Sequence, residues 1–235
     1  IDGVRYQDPS NTSWAAFSHL MISDIERIEV IKGAQSSIWG ADASAGVINI
    51  ITKSAQDGTH GNATIEYGKY NTKTSKATIS HKNESFDAKL GVTRVDTDGF
   101  SAKVPKDEKL SKYEDDGYEN TTANLKLGYN FDENNRVSTS YEIIDTKVDI
   151  DDFFGNNPNN LDVARTKNHL ANLTYENRND IALTKVYTNY TEIKRDSKSS
   201  FGTLNFRGKV KEYGLNTSID YLNSSNVTMG ADYKD

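Results

Sequence analysis

Acidic side chains gather in two stretches of this chain, and their spacing suits oxygen-ligand chemistry. The first stretch carries Asp96, Asp98, Asp107, Glu108, Glu114, Asp115 and Asp116; the second carries Asp149, Asp151, Asp152 and Asp162. Calcium takes roughly six to eight oxygen ligands, so carboxylates converging from two neighbouring loops would supply a site. Other chemistry is poorly served. His19, His60, His81 and His169 are scattered without metal-ligand spacing, and no Ser-His-Asp order stands out. The absence of cysteine removes disulfides, thiol catalysis and Cys-based zinc sites. No catalytic constellation stands out, and the chain does not read as an enzyme.

The elements that must position those acids are strands. Residues 119–131 alternate: Ala123, Leu125, Leu127, Tyr129 and Phe131 fall on one face, Asn120, Asn124, Lys126 and Asn130 on the other. Residues 213–221 repeat the pattern with Tyr213, Leu215, Ile219 and Tyr221, and Phe86, Ala88, Leu90 and Val92 alternate with Asp87, Lys89 and Gly91. Such dyads are expected where one side meets lipid and the other lines a polar lumen. Nine strands are predicted near 61–68, 72–82, 85–96, 119–131, 136–147, 165–176, 181–193, 207–222 and 227–235. The run 181–193 has the weakest phase, because Ala182, Val186 and Tyr190 disturb it.

Connections between these strands alternate in length. Short polar turns occur at 82–85, 132–135, 177–180 and 223–226, with long inserts around 97–118 and 147–164. Membrane barrels have short periplasmic turns and long external loops, which would put the acids on the external side; the pattern alone also fits a soluble β-sandwich. Tyr129, Tyr175 and Tyr221 each precede a short turn, as an aromatic girdle at the inner interface requires. No apolar run reaches the roughly 18 residues of a membrane helix, but low mean hydropathy is compatible with a barrel whose apolar face alternates. A net charge of -6 without long basic clusters speaks against nucleic acid as a partner.

Ahead of the strands lies a different kind of sequence. Ser23 and Glu26 fit a capping box opening a short helical turn. The apolar Ile28, Val30 and Ile31 end at Gly33; Gly40 and Gly46 mark further turns, and Val47 to Thr52 is a β-branched run suited to a strand buried on both faces. Residues 25–53, IERIEVIKGAQSSIWGADASAGVINIITK, resemble the closing half of the plug of TonB-dependent outer-membrane receptors, and Ile1-Asp2-Gly3-Val4-Arg5 is similar to the same domain. Ala34 and Ala45 depart from the proline and glycine common there.

The resemblance implies a mainly β fold. Residues 1–53 would be the C-terminal part of the plug, 54–60 a linker and 61–235 the N-terminal part of a transmembrane β-barrel. Plugged transporters use roughly 22 strands, and an open edge in lipid is unfavourable. Nine strands therefore imply a longer parent protein, continuing past Asp235 and preceded by a signal peptide and TonB-contacting segment.

The implied function is active uptake of a scarce ligand across the outer membrane of a Gram-negative bacterium, with TonB and membrane lipid as partners. Cobalamin is the favoured ligand, a ferric siderophore the alternative; a passive porin or β-rich adhesin is more remote. Ligand in this family rests on the outward plug loops, which by position are Tyr6, Gln7, Asn11 and Trp14, and Ser36, Ser37, Ile38 and Trp39. The cobalamin branch orders its external hairpins with calcium. Its aspartate pattern is similar to Glu114 and Asp116 before Gly117-Tyr118, to Asp151 or Asp152 before Phe153-Phe154, and to Asp162 after Leu161.

Overall fold

The structure is a computed structural model that describes residues 1–8, 16–39, 43–101, 114–151, 161–199, 201–221 and 225–235, without the side chains of residues 37, 38 and 161. It contains two sheets. The smaller pairs β1 (Ile25–Lys32) with β2 (Gly46–Thr52), antiparallel, with the one-turn helix α1 (Ser36–Trp39) between them. The larger has nine antiparallel strands in sequence order: β3 (Gly58–Tyr67), β4 (Lys73–Lys82), β5 (Phe86–Thr97), β6 (Tyr118–Asn130), β7 (Asn135–Asp151), β8 (Leu161–Arg178), β9 (Ala182–Ser199), β10 (Gly202–Tyr221) and β11 (Ser225–Lys234). Among the described residues no helix is long and apolar enough to cross a membrane.

All nine expected strands are present, and four run further outward than their alternation indicated. β7 continues to Asp151, β8 starts at Leu161, β9 reaches Ser199 and β10 starts at Gly202. In these extensions the apolar-outward phase stops: Val148, Ile150, Leu204 and Phe206 fall on the inward face and Asp149, Asp151, Thr203 and Asn205 on the outward one, so the lipid-facing pattern of the band could not mark them. Ladder hydrogen bonds hold them regardless of side chain, and β9 and β10 stay in register from Ile219↔Ala182 to Gly202↔Ser199.

Two local expectations are corrected. Ile22–Asp24 form a 3-10 turn with no side-chain cap, and Glu26 lies within β1, where its carboxylate accepts from Arg27 Nη1 at 2.9 Å. Strand geometry displaces the capping box because β1 must start at Ile25 to pair with Thr52. Likewise β2 is not covered on both faces. Ile50 and Thr52 are buried, whereas Ile48 on the opposite face is half exposed.

The strand faces divide as their alternation predicts. Asn120, Lys126, Asn168, Asn189 and Thr191 point inward to the plug, while Leu90, Leu125, Leu173 and Leu215 belong to the outward face, with Leu90, Leu173 and Leu215 well exposed. Tyr129 and Tyr175 lie on one cross-strand row through Val137, and Tyr221 closes β10; all three are partly exposed outward. A small apolar core of Val4, Ile144 and Leu170, with Ile1, Tyr6 and Leu20 packed on it, joins plug to barrel.

Candidate functional site

Residues 1–8, 16–39 and 43–53 sit against the inward face of β4 to β10, and the joint is mainly polar. Asp24 Oδ1 meets Lys89 Nζ at 2.5 Å, and the same ammonium donates to the Lys53 carbonyl at 2.8 Å. Asp2 Oδ2 faces Lys126 Nζ at 3.0 Å, and Lys126 donates to the Thr52 carbonyl. Asp8 pairs with Arg195 at 2.6 Å. Each of these plug aspartates is matched by one barrel cation. The sign reverses where plug Arg5 lies 3.8 Å from barrel Glu212 and donates to the Trp39 carbonyl at 2.8 Å.

Barrel amides, hydroxyls and ammonium groups read the plug backbone between these pairs. Asn120 donates to the His19 carbonyl, Asn189 to that of Gly3, Thr191 to that of Arg5 and Lys76 to that of Ser23. The chain can be held this way because residues 1–8 and 16–24 form turns and short 3-10 segments, whose carbonyls are not all consumed by a ladder. Sequence reasoning assigned the polar face of each strand to a lumen but did not single out Lys89, Lys126, Arg195 or Glu212. The available signal was a charged residue at an inward position flanked by apolar outward ones, as Lys89 is between Ala88 and Leu90.

His19 lies at the outer margin of this joint, stacked on Tyr118 with ring centroids 6.0 Å apart and Nδ1 3.3 Å from the phenol oxygen. Burial holds the His19 imidazole below its ordinary pKa. At the inner face of the plug, Glu29 accepts from Arg27 and Asn49, and those hydrogen bonds lower its pKa.

The expected ligand residues fall into separate groups. Tyr6 is engaged in the plug–barrel joint: its hydroxyl donates to the Ala16 carbonyl at 3.2 Å and accepts from Asn168 at 3.3 Å, and burial raises its pKa. Gln7 follows it, half-buried. Ser36 is exposed at the start of α1, and Trp39 ends it with its carbonyl on Arg5. Asn11 and Trp14, and the side chains of Ser37 and Ile38, lie outside the described residues.

The acidic loops converge in part. A cleft of about 360 Å³ at the outer end of β5, β6 and β7 is lined by Asp96, Asp98, Asp115, Glu119 and Asp149. Glu114 Oε2 is buried without a hydrogen-bond partner among the described residues. Lys147 enters the same cleft, 3.3 Å from Asp149 and 3.4 Å from Glu119. Of the residues expected to bind calcium, Glu114 and Asp116 adjoin this cleft in sequence. Asp151 and Asp162 lie one step apart across β7 and β8, with Ile150↔Asp162 and Asp151↔Leu161 in register, so they fall on opposite faces of the sheet and the ladder does not bring them together; Asp152 lies outside the described residues. The donors have calcium chemistry, but among the described residues no three or more His, Asp or Glu converge as a metal site.

A plug seated inside an antiparallel outer-membrane-type sheet by ion pairs to the lumen wall is the architecture of a TonB-dependent receptor. Residues 1–47 match the TonB-dependent Receptor Plug Domain. The chain is 32% identical over 160 residues to the vitamin B12 transporter BtuB of Photobacterium profundum, covering 66% of this chain and 25% of that protein. It is 28% identical over 165 residues to the rhizobactin receptor of Rhizobium meliloti, covering 64% and 21% respectively. The fold matches the ferric yersiniabactin uptake receptor FyuA of Yersinia pestis with a TM-score of 0.71 at 15% identity, over 90% of this chain and 36% of that one. The chain thus spans about a quarter of the length of these two curated relatives.

Proposed function

We propose that this chain belongs to a receptor that takes up a scarce ligand across the outer membrane of a Gram-negative bacterium, driven by TonB acting on the plug. The observation that carries this reading is the polar plug–barrel joint. A typical hydrogen bond contributes about 0.5–1.5 kcal/mol net, because water replaces it when it opens. A plug held by such bonds can be displaced one contact at a time, with water taking over each partner, whereas a broad apolar joint would resist any displacement.

Cobalamin is the ligand this reading favours, with a ferric siderophore as the alternative. The BtuB relative and the acidic cleft support the first; the rhizobactin-receptor relative supports the second. Calcium belongs to the cobalamin reading, held by Glu114, Asp116, Asp151, Asp152 and Asp162 with the cleft carboxylates beside them. When bound it would neutralise these acids and tie the two hairpins together. Lys147 counts against a strong site unless it leaves Asp149.

Titration of the full-length receptor in detergent with cobalamin, with calcium and then with chelator, tests both parts. Tight binding that weakens on chelation supports the cobalamin reading. Absence of binding in calcium overturns it, and the same titration with ferric siderophores then tests the alternative.

A further inference from the structure

Beside the Asp24–Lys89 pair, a cavity of about 20 Å³ separates the plug from the inward face of β5 to β7. Space of that size holds one water-sized occupant. Leu20, Ile25 and Ile50 of the plug and Ile144 of β7 form its apolar wall, whereas Asp24, Thr93, Thr122, Asn124 and Glu142 present polar groups to it. Ladder register gathers the barrel groups. Asn124 of β6 stands between Gly91 of β5 and Glu142 of β7, and the next row toward the external end is Thr93, Thr122 and Ile144. Gly91 makes room for the amide, since an added Cβ there would lie 2.9 Å from Asn124 Oδ1.

Three acceptor groups on this wall lack donors. Asp24 and Asn124 are each more than nine-tenths buried, and Asp24 Oδ2 and Asn124 Oδ1 have no hydrogen-bond partner among the described residues. The Glu142 carboxylate makes no hydrogen bond or ion pair among them either. The neighbouring cations are directed elsewhere. Lys89 serves Asp24 Oδ1 and the Lys53 carbonyl, and Lys126 serves Asp2 Oδ2 and the Thr52 carbonyl. Buried polar groups are ordinarily hydrogen-bonded, and buried charges are paired or coordinate a metal.

Charge and valence decide what fills the cavity. A water molecule donates two hydrogen bonds but leaves the Glu142 charge uncompensated, and a proton on Glu142 removes the charge but serves only one acceptor. A hard cation takes all three oxygens as ligands. The hydroxyls of Thr93 and Thr122 add to the set, and Thr122 Oγ1 donates its own proton to Asn120 Oδ1 at 2.9 Å, which leaves its lone pairs for an ion. Lys126 balances Asp2 and Lys89 balances Asp24, so the remaining charge is that of Glu142. One positive charge neutralises it, and a divalent ion would overshoot.

We infer that this cavity binds one sodium ion, held by Asp24, Asn124 and Glu142 with the two threonine hydroxyls beside them. The inference rests on the longer receptor proposed above, in which the Ile1 nitrogen, a donor to the Val4 carbonyl at 2.7 Å, is a peptide N–H and carries no charge. The small volume favours sodium over potassium. The ion joins the plug, through Asp24, to β6 and β7, through Asn124 and Glu142. A ligand that binds only the seated plug stabilises the seat by mass action.

The test is limited proteolysis of the plug in the full-length receptor, in neutral detergent with chelator, as choline chloride is replaced by sodium chloride at constant ionic strength. Cleavage that tracks the open fraction should slow roughly tenfold once sodium exceeds its dissociation constant about tenfold. Potassium should need at least about ten times the concentration for the same effect. E142Q should lose the sodium response while its plug in choline is at least as protected as that of the wild type, because a buried unpaired charge is gone. T93V should weaken the response several-fold, and E176Q, whose partner is Lys185, should keep it. Equilibrium dialysis with radioactive sodium should show one saturable ion fewer in E142Q. Equal protection of the wild type in choline and sodium means water or a shared proton and overturns the inference. So does an equal response to potassium, or a sodium response undiminished in E142Q or, should that variant not fold, in T93V. The measurement needs neither ligand nor TonB, so its failure leaves the uptake reading standing, and that reading fails separately in the cobalamin and siderophore titrations.

Discussion

Asp24 of the plug and Lys89 of β5 form a buried ion pair at 2.5 Å, with the Lys89 side chain almost fully covered. Asp24 Oδ2 has no hydrogen-bond partner among the described residues, so this carboxylate depends on Lys89 for most of its compensation. Removing one member of a buried pair costs about 3–5 kcal/mol, because the remaining charge stays desolvated. K89M is therefore expected to loosen the plug strongly, and the double variant D24L/K89M much less. The rate of limited proteolysis of the plug in the full-length receptor checks this; equal effects of the single and double variants would contradict the account.

The His19–Tyr118 stack gives the joint a pH dependence. Burial lowers the His19 pKa in the docked state, so the released, solvated imidazole, with a value near ~6.5, binds a proton first as pH falls. Stability rises with pH wherever the released state binds more protons. The contribution of His19 is thus fully present above pH ~6.5, declines as pH falls below it, and levels off once the docked imidazole is also protonated. Plug proteolysis measured from pH 8 to pH 5 should accelerate over that window, and H19Q should flatten the profile. An H19Q profile parallel to the wild type would rule His19 out as the source.

Much of this architecture was legible in the sequence, for a physical reason. A strand with lipid on one side must alternate, so Leu125 and Leu127 against Asn124 and Lys126 report both element and orientation. The glycines and the β-branched run of residues 33–52 likewise announce a turn-rich unit. The outer strand extensions were not legible, because beyond the apolar band neither face needs an apolar residue and backbone pairing alone decides. The pairing of Asp2, Asp8 and Asp24 with Lys126, Arg195 and Lys89 was hidden as well. Each pair joins residues 65 to 187 positions apart, and no local pattern encodes which inward cation meets which plug acid. Tyr6 was placed at the ligand surface by its position in the plug, and its engagement by Ala16 and Asn168 was likewise not legible, since Asn168 lies 162 residues away.

Gly99 supports the acidic cleft from behind. Its φ of +73° is unfavourable for other residues, and an added Cβ would collide with the carbonyl of Asp116. Forcing a side chain into such a position costs on the order of 1–3 kcal/mol. The strain in G99A is most simply relieved by moving residues 114–117, which carry Asp115 into the cleft. G99A is expected to raise the calcium concentration needed for half-maximal cobalamin binding without changing expression or membrane insertion. An unchanged calcium dependence, in a receptor that binds cobalamin, would show that the 114–117 segment does not contribute to ion binding.

Gly128 serves a charge pair at the opposite end. Arg136 of β7 reaches across the inward face of β6 to Asp87 of β5, at 2.5 Å, and also donates to Asn130 at 2.9 Å. The guanidinium lies where a side chain at position 128 would stand. Glycine there lets two strands that are not neighbours share an ion pair over the one between them. Both partners are partly covered, with side-chain exposures of 34% and 18%, so after solvent screening the pair contributes on the order of 1 kcal/mol. G128V should displace Arg136 and forfeit most of that contribution, whereas in an R136A background the same substitution should cost far less, because the space is already empty. The comparison is a double-mutant cycle on thermal stability of the full-length receptor. Additive effects would mean that Gly128 acts through the backbone of β6 and not through the Asp87–Arg136 pair.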